Sequence, residues 1–306
     1  MSSNCVQETQ KVESETPPND PYILWQRQHK IALFQGGGTW WRRYRDILVP
    51  ASTKPEPVFL GASEARELLR ESRAYLLRWF TRTSDAPTEF WYVVCDDYNF
   101  EKLPGKMRTK IRRAYRDCIV RQIQPGWLAE SGYDCYLAAF SRYKAATPAS
   151  KNMFQKECLR CIDGPFEFWG AFIGETLVGF AKCILGRDYV TMVVFKIHPK
   201  YMSSRPAYAL QDMVLQTYVT RAGKPVNNGF RSLAHDTNMQ DFVLQFGFKR
   251  IYTDLRILYR PPLQSLIAVL YPFNFVISRF PAFRPIEYLK TLLKQEQIRR
   301  SCLHSP

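Results

Sequence analysis

Histidine is scarce in this chain, and recognisable metal-binding motifs are missing. Only 4 of the 306 residues are histidines, and His198 and His235 stand apart without zinc-finger spacing. Cys158-x-x-Cys161 is the single CxxC motif, and no second pair completes a zinc site. We therefore expect no metal, and we interpret both cysteines as packed or surface thiols. No Walker A loop is present either, because glycines 36–38 lack a following Lys-Ser/Thr and predict a turn instead.

Long apolar runs are also absent, so the sequence predicts no membrane-spanning helix. Residues 1–20 are polar, without the apolar core and cleavage pattern of a secretory signal, and we expect a disordered tail there. The 8 cysteines are scattered along a chain too long to need disulfides for stability. A reduced, cytoplasmic location is the simplest interpretation.

Apolar residues and positive charge are plentiful. The chain is 46% hydrophobic and 14% aromatic, which excludes a disordered protein and is enough for one or two folded domains. Lys and Arg number 43 against 28 Asp and Glu, for a formal net charge of +15. This balance favours an anionic partner and leaves open nucleic acid, an acidic membrane surface or a phosphorylated cofactor.

The most basic segment spans residues 102–121, with eight basic residues and Asp117 as its one acid. Met107, Ile111 and Ala114 recur at helical spacing, which predicts a helix that buries a narrow stripe and exposes a basic face. One interpretation is a solvated surface helix. The other is an electrostatic landing site for phosphate groups, such as those of tRNA, on residues 104–121.

Before this segment the local patterns are mixed. Strand-like pieces occur at residues 31–34, 47–49, 58–60 and 90–95. Between them we predict one helix, capped by Ser63 and continuing through Tyr75, Leu76 and Trp79.

Beyond residue 121 the patterns predict the order α-α-β-β-β-α-β-α-β. Two helices at 130–143 and 151–162 precede a β-hairpin over 167–184 and a strand over 189–197. A helix begins at Pro206, a short strand follows at 231–234, and Asn238 starts another helix before a last strand at 248–258.

The predicted order of elements, together with one segment, carries a resemblance to a known family. That segment, at 238–250, is Asn-Met-Gln-Asp-Phe-Val-Leu-Gln-Phe-Gly-Phe-Lys-Arg, and residues 104–260 resemble the GNAT-fold acyltransferases. The C-terminal half of that family typically runs through a strand, an Asn-containing helix and a Gly-Phe turn into a final strand. Arg108-x-x-x-Arg112-Arg113 and the upstream region are similar to the FemAB-like branch, in which a partial copy of the fold precedes the catalytic one.

The resemblance implies an α/β (α+β) protein with a GNAT-like splayed mixed sheet flanked by helices. It implies four parts: a disordered tail at 1–20, a partial N-terminal GNAT-like domain at 21–103, a GNAT-like acyltransferase domain at 104–260, and a basic amphipathic C-terminal tail at 261–306. The implied activity moves an acyl or aminoacyl group from a CoA thioester or aminoacyl-tRNA to an amine or hydroxyl. The donor is a co-substrate, and no bound cofactor is expected.

The donor site follows from the same resemblance. In GNAT-fold enzymes the donor enters the gap between splayed strands, and its phosphates rest on N–H groups at the start of the next helix, here near Pro206. Of residues 202–207 only Ala207 fits the family's pyrophosphate loop, a departure also common in the FemAB-like branch. The donor-binding residues are then expected to be Lys196, Ser203, Ser204, Arg205 and Asn238. An arginine suits this role because its guanidinium matches phosphate oxygens bidentately.

Acyl transfer also needs a base that deprotonates the acceptor. The catalytic candidates are His198, at the end of a strand, and His235 and Asp236, which follow the next strand. An imidazole has the right intrinsic pKa for neutral pH. Asp236 has a structural alternative as a helix cap.

Three alternatives remain at this point. The first is that the chain is a non-catalytic relic of the fold. The second is a nucleic-acid-binding protein that uses the helix at 102–121, where aromatic and basic residues interleave. The third concerns the C-terminal tail. The tail at 261–306 is both apolar and basic. It either lies on the inner face of the membrane as a peripheral contact or packs back onto the N-terminal region.

Overall fold

Two mixed β-sheets form the frame of the molecule. The computed structural model describes residues 19–141, 147–233, 238–279 and 284–303. Within these residues the strands are β1 (Leu33–Gly36), β2 (Thr39–Tyr44), β3 (Ile47–Pro50), β4 (Leu76–Trp79), β5 (Thr83–Ser84), β6 (Phe90–Cys95), β7 (Ile119–Ile123), β8 (Phe166–Ile173), β9 (Thr176–Leu185), β10 (Val190–Ile197), β11 (Val226–Phe230), β12 (Lys249–Thr253) and β13 (Arg256–Tyr259).

Helices cover both sheets. They are α1 (Pro21–Gln28), α2 (Ala62–Ser72), α3 (Gly105–Asp117), α4 (Pro125–Ser131), α5 (Tyr133–Phe140), α6 (Lys151–Leu159), α7 (Pro206–Leu215), α8 (Met239–Leu244), α9 (Pro261–Leu270), α10 (Asn274–Ile277) and α11 (Arg284–Leu303). A π-helical turn, Gln216–Arg221, extends α7. Among the described residues, no helix is both long and apolar enough to cross a bilayer.

The smaller sheet has the order β1-β2-β3-β4-β13. Gly37 (φ +59°) and Gly38 (φ +69°) join β1 to β2, which confirms the predicted turn, since two consecutive left-handed residues make a tight hairpin. Leu77 faces a cluster with Trp41, Leu48 and α2. Its neighbour Leu76 faces a second cluster that α9 and α11 cover.

The larger sheet has the order β5-β12-β6-β11-β10-β9-β8-β7. The hairpin β8–β9 and the strand β10 form where turn residues, β-rich composition and an apolar run predicted them. Helices α3, α7 and α8 pack on one face, with Met107, Ile111 and Ala114 forming the predicted buried stripe. Helices α1, α4, α5 and α6 pack on the opposite face.

The chain passes between the two sheets more than once. Strand β6, from the N-terminal part, lies between β11 and β12 in the larger sheet. Strand β13 leaves that sheet and pairs with β4 in the smaller one. Asp254 lies in the link between β12 and β13, and its carboxylate accepts hydrogen bonds from the backbone N–H groups of Thr81 and Arg82, which hold the link in place. The sheets are therefore fastened to each other by chain crossings.

Several local predictions are wrong. The helix begins after Gly61, not at Ser63, and ends at Ser72, because Arg73 adopts a left-handed conformation (φ 54°). Leu76 and Trp79 lie in β4, where pairing with β3 and β13 outweighs their helical spacing.

Strand predictions fail at other places. Residues 58–60 form no strand. The strand predicted at 231–234 lies earlier, as β11, and residue 234 is outside the described residues. The single strand predicted at 248–258 is divided into β12 and β13 by the crossing at Asp254. Pairing with distant strands decides these boundaries.

Candidate functional site

The centre of the larger sheet is split. Strands β10 and β11 run parallel but pair only through Val190 with Val226 and Thr191 with Asn227. Past these pairs, β10 has a bulge between Met192 and Val194, and β11 changes register before Phe230, next to Gly229 at φ +79°. Bulges bend a strand away from its neighbour. The two strands therefore diverge and open a gap in the sheet.

Helix α7 begins just beyond the end of β10. A 3-10 turn, Pro199–Ser204, and Arg205 in a left-handed conformation (φ 57°) lead into Pro206. No side chain among the described residues caps the start of this helix. Pro206 has no N–H and the Tyr208 N–H donates to the Arg205 carbonyl, so this end offers an anion the Ala207 N–H and the positive end of the helix dipole. Arg205 adds a guanidinium there, which donates to the Ser203 carbonyl at 3.1 Å.

A buried amide lies close to this helix start. Gln211 is fully buried, and within the described residues neither its amide nitrogen nor its amide oxygen has a hydrogen-bond partner. Side chains on a helix lean toward its N-terminus, so Gln211 shares a face with Ala207 in the first turn. Unsatisfied buried polar groups are rare in folded proteins and call for an explanation such as a ligand.

The other expected donor-binding residues lie in three different places relative to this helix. Ser203 is exposed and Ser204 half-buried in the 3-10 turn beside Arg205. Lys196 lies on the opposite face of the sheet, with its Nζ 4.2 Å from the centre of the Phe140 ring of α5. Burial lowers the pKa of Lys196. Asn238 is exposed before α8, and its side chain makes no capping hydrogen bond.

Of the catalytic candidates, His198 is the one that the structure places. It directly follows β10, its backbone N–H donates to the Val178 carbonyl, and its ring centre lies 5.1 Å from that of Tyr201. Its Nδ1 accepts a hydrogen bond from the N–H of Lys200 at 3.2 Å. His235 and Asp236 lie outside the described residues, in the segment between Leu233 and Asn238 that follows β11.

The basic helix α3 adjoins the start of α7, which the sequence did not indicate. The Nζ of Lys110 lies 5.3 Å from the centre of the Tyr208 ring, and that ring packs in turn against Phe242 of α8. Two other α3 cations, Arg108 and Arg112, pair with Glu101. Among the described residues, the remaining cations Lys106, Arg113 and Arg116 have no ion pair. The outer face of α3 is therefore a positive surface next to the helix that faces the gap.

A buried carboxylate fixes α7 against α3. Asp212 of α7 is 4% exposed and accepts hydrogen bonds from the hydroxyls of Tyr98 and Tyr115, the latter at 2.8 Å. Burial raises the pKa of Asp212, and the two hydroxyl donors offset only part of that effect. Burial likewise raises the pKa of both tyrosines, so they remain neutral donors. Sequence reasoning missed this cluster because its members are far apart in the chain.

Removing one of these donors should destabilise the protein in a pH-dependent way. We expect Tyr98→Phe to lower the free energy of unfolding by about 1–2 kcal/mol at neutral pH, since a buried carboxylate loses a hydrogen bond. A carboxyl whose pKa is raised on folding costs stability as pH rises above its unfolded value of about 3.9. The loss should therefore be smaller near pH 4 than at pH 7 in urea denaturation. Tyr44→Phe, at an exposed site, is the control, and a loss independent of pH would contradict this account.

Within the described residues, no group of three or more His, Cys, Asp and Glu side chains is placed to hold a metal ion. Cys158 and Cys161 are both buried, and Lys182 donates to the Cys161 sulfur at 3.1 Å. Both thiols pack in the core on the α4–α6 side of the sheet.

No protein-family model and no curated protein sequence matches the chain. Solved structures match its fold. The structure of L-PGS from Bacillus licheniformis aligns with a TM-score of 0.52 at 10% identity, over 94% of this chain and 100% of that one. The structure of FemX aligns with a TM-score of 0.52 at 8% identity, over 79% and 92%. These alignments show that the chain has a GNAT-like fold, which it shares with both structures.

A third structure supports the same architecture. The C-terminal domain of an Agrobacterium fabrum protein, assigned as a lysylphosphatidylglycerol synthetase, aligns with a TM-score of 0.51 at 8% identity, over 83% of this chain and 92% of that domain. Such low identities establish the fold alone. The expected splayed sheet flanked by helices is thereby confirmed.

Proposed function

We propose that this protein is a GNAT-fold transferase that takes an acyl or aminoacyl group from a phosphorylated donor and passes it to an amine or hydroxyl. The observation that carries the proposal is the parting of β10 and β11 after two residue pairs, with the uncapped start of α7 and Arg205 just beyond the end of β10. Donor phosphates would bind the Ala207 N–H at the positive end of α7 and the Arg205 guanidinium. The unpaired amide of Gln211 adds a buried hydrogen-bonding group on the same helix.

The positive face of α3 favours a large anionic donor. Lys106, Arg113 and Arg116 lie on this face, on a helix that contacts the start of α7 through Lys110 and Tyr208. An aminoacyl-tRNA would contact α3 with its backbone while its acylated end enters the gap. A CoA thioester would need the α7 end alone. Both donors occur in the reducing interior of the cell, and the cysteines predict the same cytoplasmic location.

The proposed chemistry is nucleophilic attack on an activated carbonyl. The acceptor nitrogen or oxygen loses a proton to a base and bonds to the acyl carbon, and the thiol or tRNA hydroxyl leaves with a proton. His198, His235 and Asp236 are the proposed candidates for the base. We place this chemistry in residues 104–260, with β6 completing the sheet. The name of the Agrobacterium fabrum neighbour, which describes making a lysyl-bearing lipid, supports an aminoacyl donor.

A second candidate function is nucleic-acid binding without catalysis. It rests on the same three cations of α3, which are not neutralised by acids among the described residues. Such binding would weaken steeply with rising salt and would not depend on whether a tRNA is acylated.

Thermal unfolding in the presence of candidate donors tests the proposal without a known acceptor. A ligand that binds only the folded state stabilises it by about 2.7 kcal/mol at a hundredfold excess over Kd. We expect acetyl-CoA, a long-chain acyl-CoA or aminoacyl-tRNA to raise the Tm. Equal stabilisation by charged tRNA, uncharged tRNA and unrelated RNA would favour the second candidate. No stabilisation by any of the donors would overturn the proposal.

A further inference from the structure

An uncharged surface follows the smaller sheet. Residues 261–278 contain no charged residue and form α9, a 3-10 turn at Tyr271–Phe273, and α10. Five of their large apolar side chains are 48% to 66% exposed: Leu266, Val269, Phe273, Phe275 and Val276. Five exposed large apolar side chains in one uncharged segment make it a candidate interaction surface, since large exposed apolar patches on proteins mark such surfaces. We call these five residues the apolar face.

The exposure does not come from a loosely attached tail. The next helix, α11, is packed firmly, with Leu293 fully buried and Glu296 accepting a hydrogen bond from the Tyr259 hydroxyl of β13. Gln295 accepts another from Arg78 of β4. Ile267 of α9 is buried in the same cluster as Ile298 of α11. The C-terminal helices thus hold the apolar face in a fixed position while leaving it uncovered within the described residues.

Positive charge borders the apolar face. Residues 261–303 include six Lys and Arg and two Asp and Glu. The Arg279 guanidinium lies 3.9 Å from the centre of the Phe275 ring, and that of Arg300 lies 3.9 Å from the centre of the Tyr271 ring. Both acids are engaged: Glu296 binds Arg299 and Arg300, and Glu287 lies 3.9 Å from Lys290. An anionic membrane surface has an apolar layer of acyl chains beneath a layer of headgroup phosphates. Exposed apolar side chains next to arginines that stack on aromatic rings suit these two layers.

We propose that the apolar face binds the surface of a bilayer containing anionic lipids. The exposed Leu, Val and Phe side chains enter the boundary between headgroups and acyl chains, and the bordering cations contact lipid phosphates. The inference goes beyond the proposed transferase activity and does not depend on it.

Co-sedimentation of the full chain with phospholipid vesicles tests the proposal. We expect binding to vesicles of phosphatidylcholine with phosphatidylglycerol, and weaker binding to phosphatidylcholine alone or at high salt. Val269→Glu combined with Phe275→Glu should weaken binding about tenfold or more, because two apolar anchors become anions. Phe59→Glu combined with Tyr44→Glu is the matched control, since both side chains are exposed and lie outside the C-terminal helices. We expect the control to bind like the original chain.

A second variant distinguishes a loss of membrane binding from a loss of folding stability. Arg279→Gln keeps the apolar face and removes one bordering cation, so it should reduce binding to the anionic vesicles while leaving the Tm unchanged. Equal binding by the Val269→Glu/Phe275→Glu variant and the control would overturn the proposal, as would a failure of the original chain to bind. Self-association in size-exclusion chromatography that this variant abolishes, without vesicle binding, would overturn it too and assign the face to a second copy of the chain.

Discussion

Replacing Asp254 by alanine should lower the free energy of unfolding by about 3–5 kcal/mol. This carboxylate is 4% exposed at the point where the chain leaves the larger sheet for the smaller one. It accepts hydrogen bonds from the N–H and hydroxyl of Thr81, both at 2.7 Å, from the N–H of Arg82 and from the Arg256 guanidinium. Alanine would leave these donors without their acceptor in a buried place. Urea denaturation measures the loss.

The stabilising contribution of Asp254, which the variant lacks, should depend on pH in a defined direction. Burial alone would raise the pKa of Asp254, but the hydrogen bonds from Thr81, Arg256 and Arg82 outweigh it and hold that pKa below its usual value. A carboxyl with a lowered folded pKa stabilises the protein above its unfolded pKa of about 3.9, and this contribution disappears as pH falls through the folded pKa. The difference between the original chain and Asp254→Ala should therefore shrink below about pH 4.

Asp46→Ala is the control for this experiment, because that carboxylate forms an exposed ion pair with Arg43 and should contribute less than about 1 kcal/mol. If Asp254→Ala cost no more than the control, the two sheets would not be fastened at this crossing as we describe.

Arg205→Asn should weaken the binding of a phosphorylated donor about tenfold or more, with little change in Tm. A charge-assisted hydrogen bond to phosphate contributes about 1.5–3 kcal/mol. Asparagine tolerates the left-handed backbone that Arg205 adopts, so the exchange removes the guanidinium without adding strain. Calorimetric titration with coenzyme A, and separately with aminoacylated tRNA, measures the change.

The chain supplies a closely matched control in Arg73. It is also an arginine in a left-handed conformation, at φ 54°, but it is exposed at the end of α2 on the smaller sheet. Arg73→Asn should leave donor binding unchanged. Equal affinities for all three proteins would remove Arg205 from the donor site.

The parts of the fold set by neighbouring residues were readable from the sequence. The hairpin β8–β9, the strand β10 and the start of α7 at Pro206 all formed as predicted, because turn residues, β-rich composition and helix-start signals are local. The GNAT-like order of elements followed from them.

The parts set by distant pairing were not readable. Leu76 has helical spacing with the residues before it, yet it forms a strand because β3 and β13 lie on either side. The insertion of β6 between β11 and β12 joins segments more than a hundred residues apart. No local pattern records such a pairing, so the exchange of strands between the sheets was not predicted.

In the candidate site, too, features set by neighbouring residues were predicted and features set by distant contacts were not. The loop that carries Ser203, Ser204 and Arg205 next to α7 was located from the sequence. Lys196 was assigned to the same site, but alternate residues of a strand face opposite sides of a sheet, and its side chain lies against Phe140 of α5. The contact of α3 with α7 and the buried Asp212 cluster depend on tertiary packing, which a single sequence does not specify.

Backbone amide hydrogen exchange on the original chain, with and without donor, tests the central claim most directly. The claim is that a phosphorylated donor binds at the start of α7 and in the gap between β10 and β11. We predict slower exchange at residues 203–205, 207 and 208, at the diverging halves of β10 and β11, and, for aminoacyl-tRNA, along α3. Saturating donor that leaves these segments unchanged while protecting other parts of the chain would contradict the account.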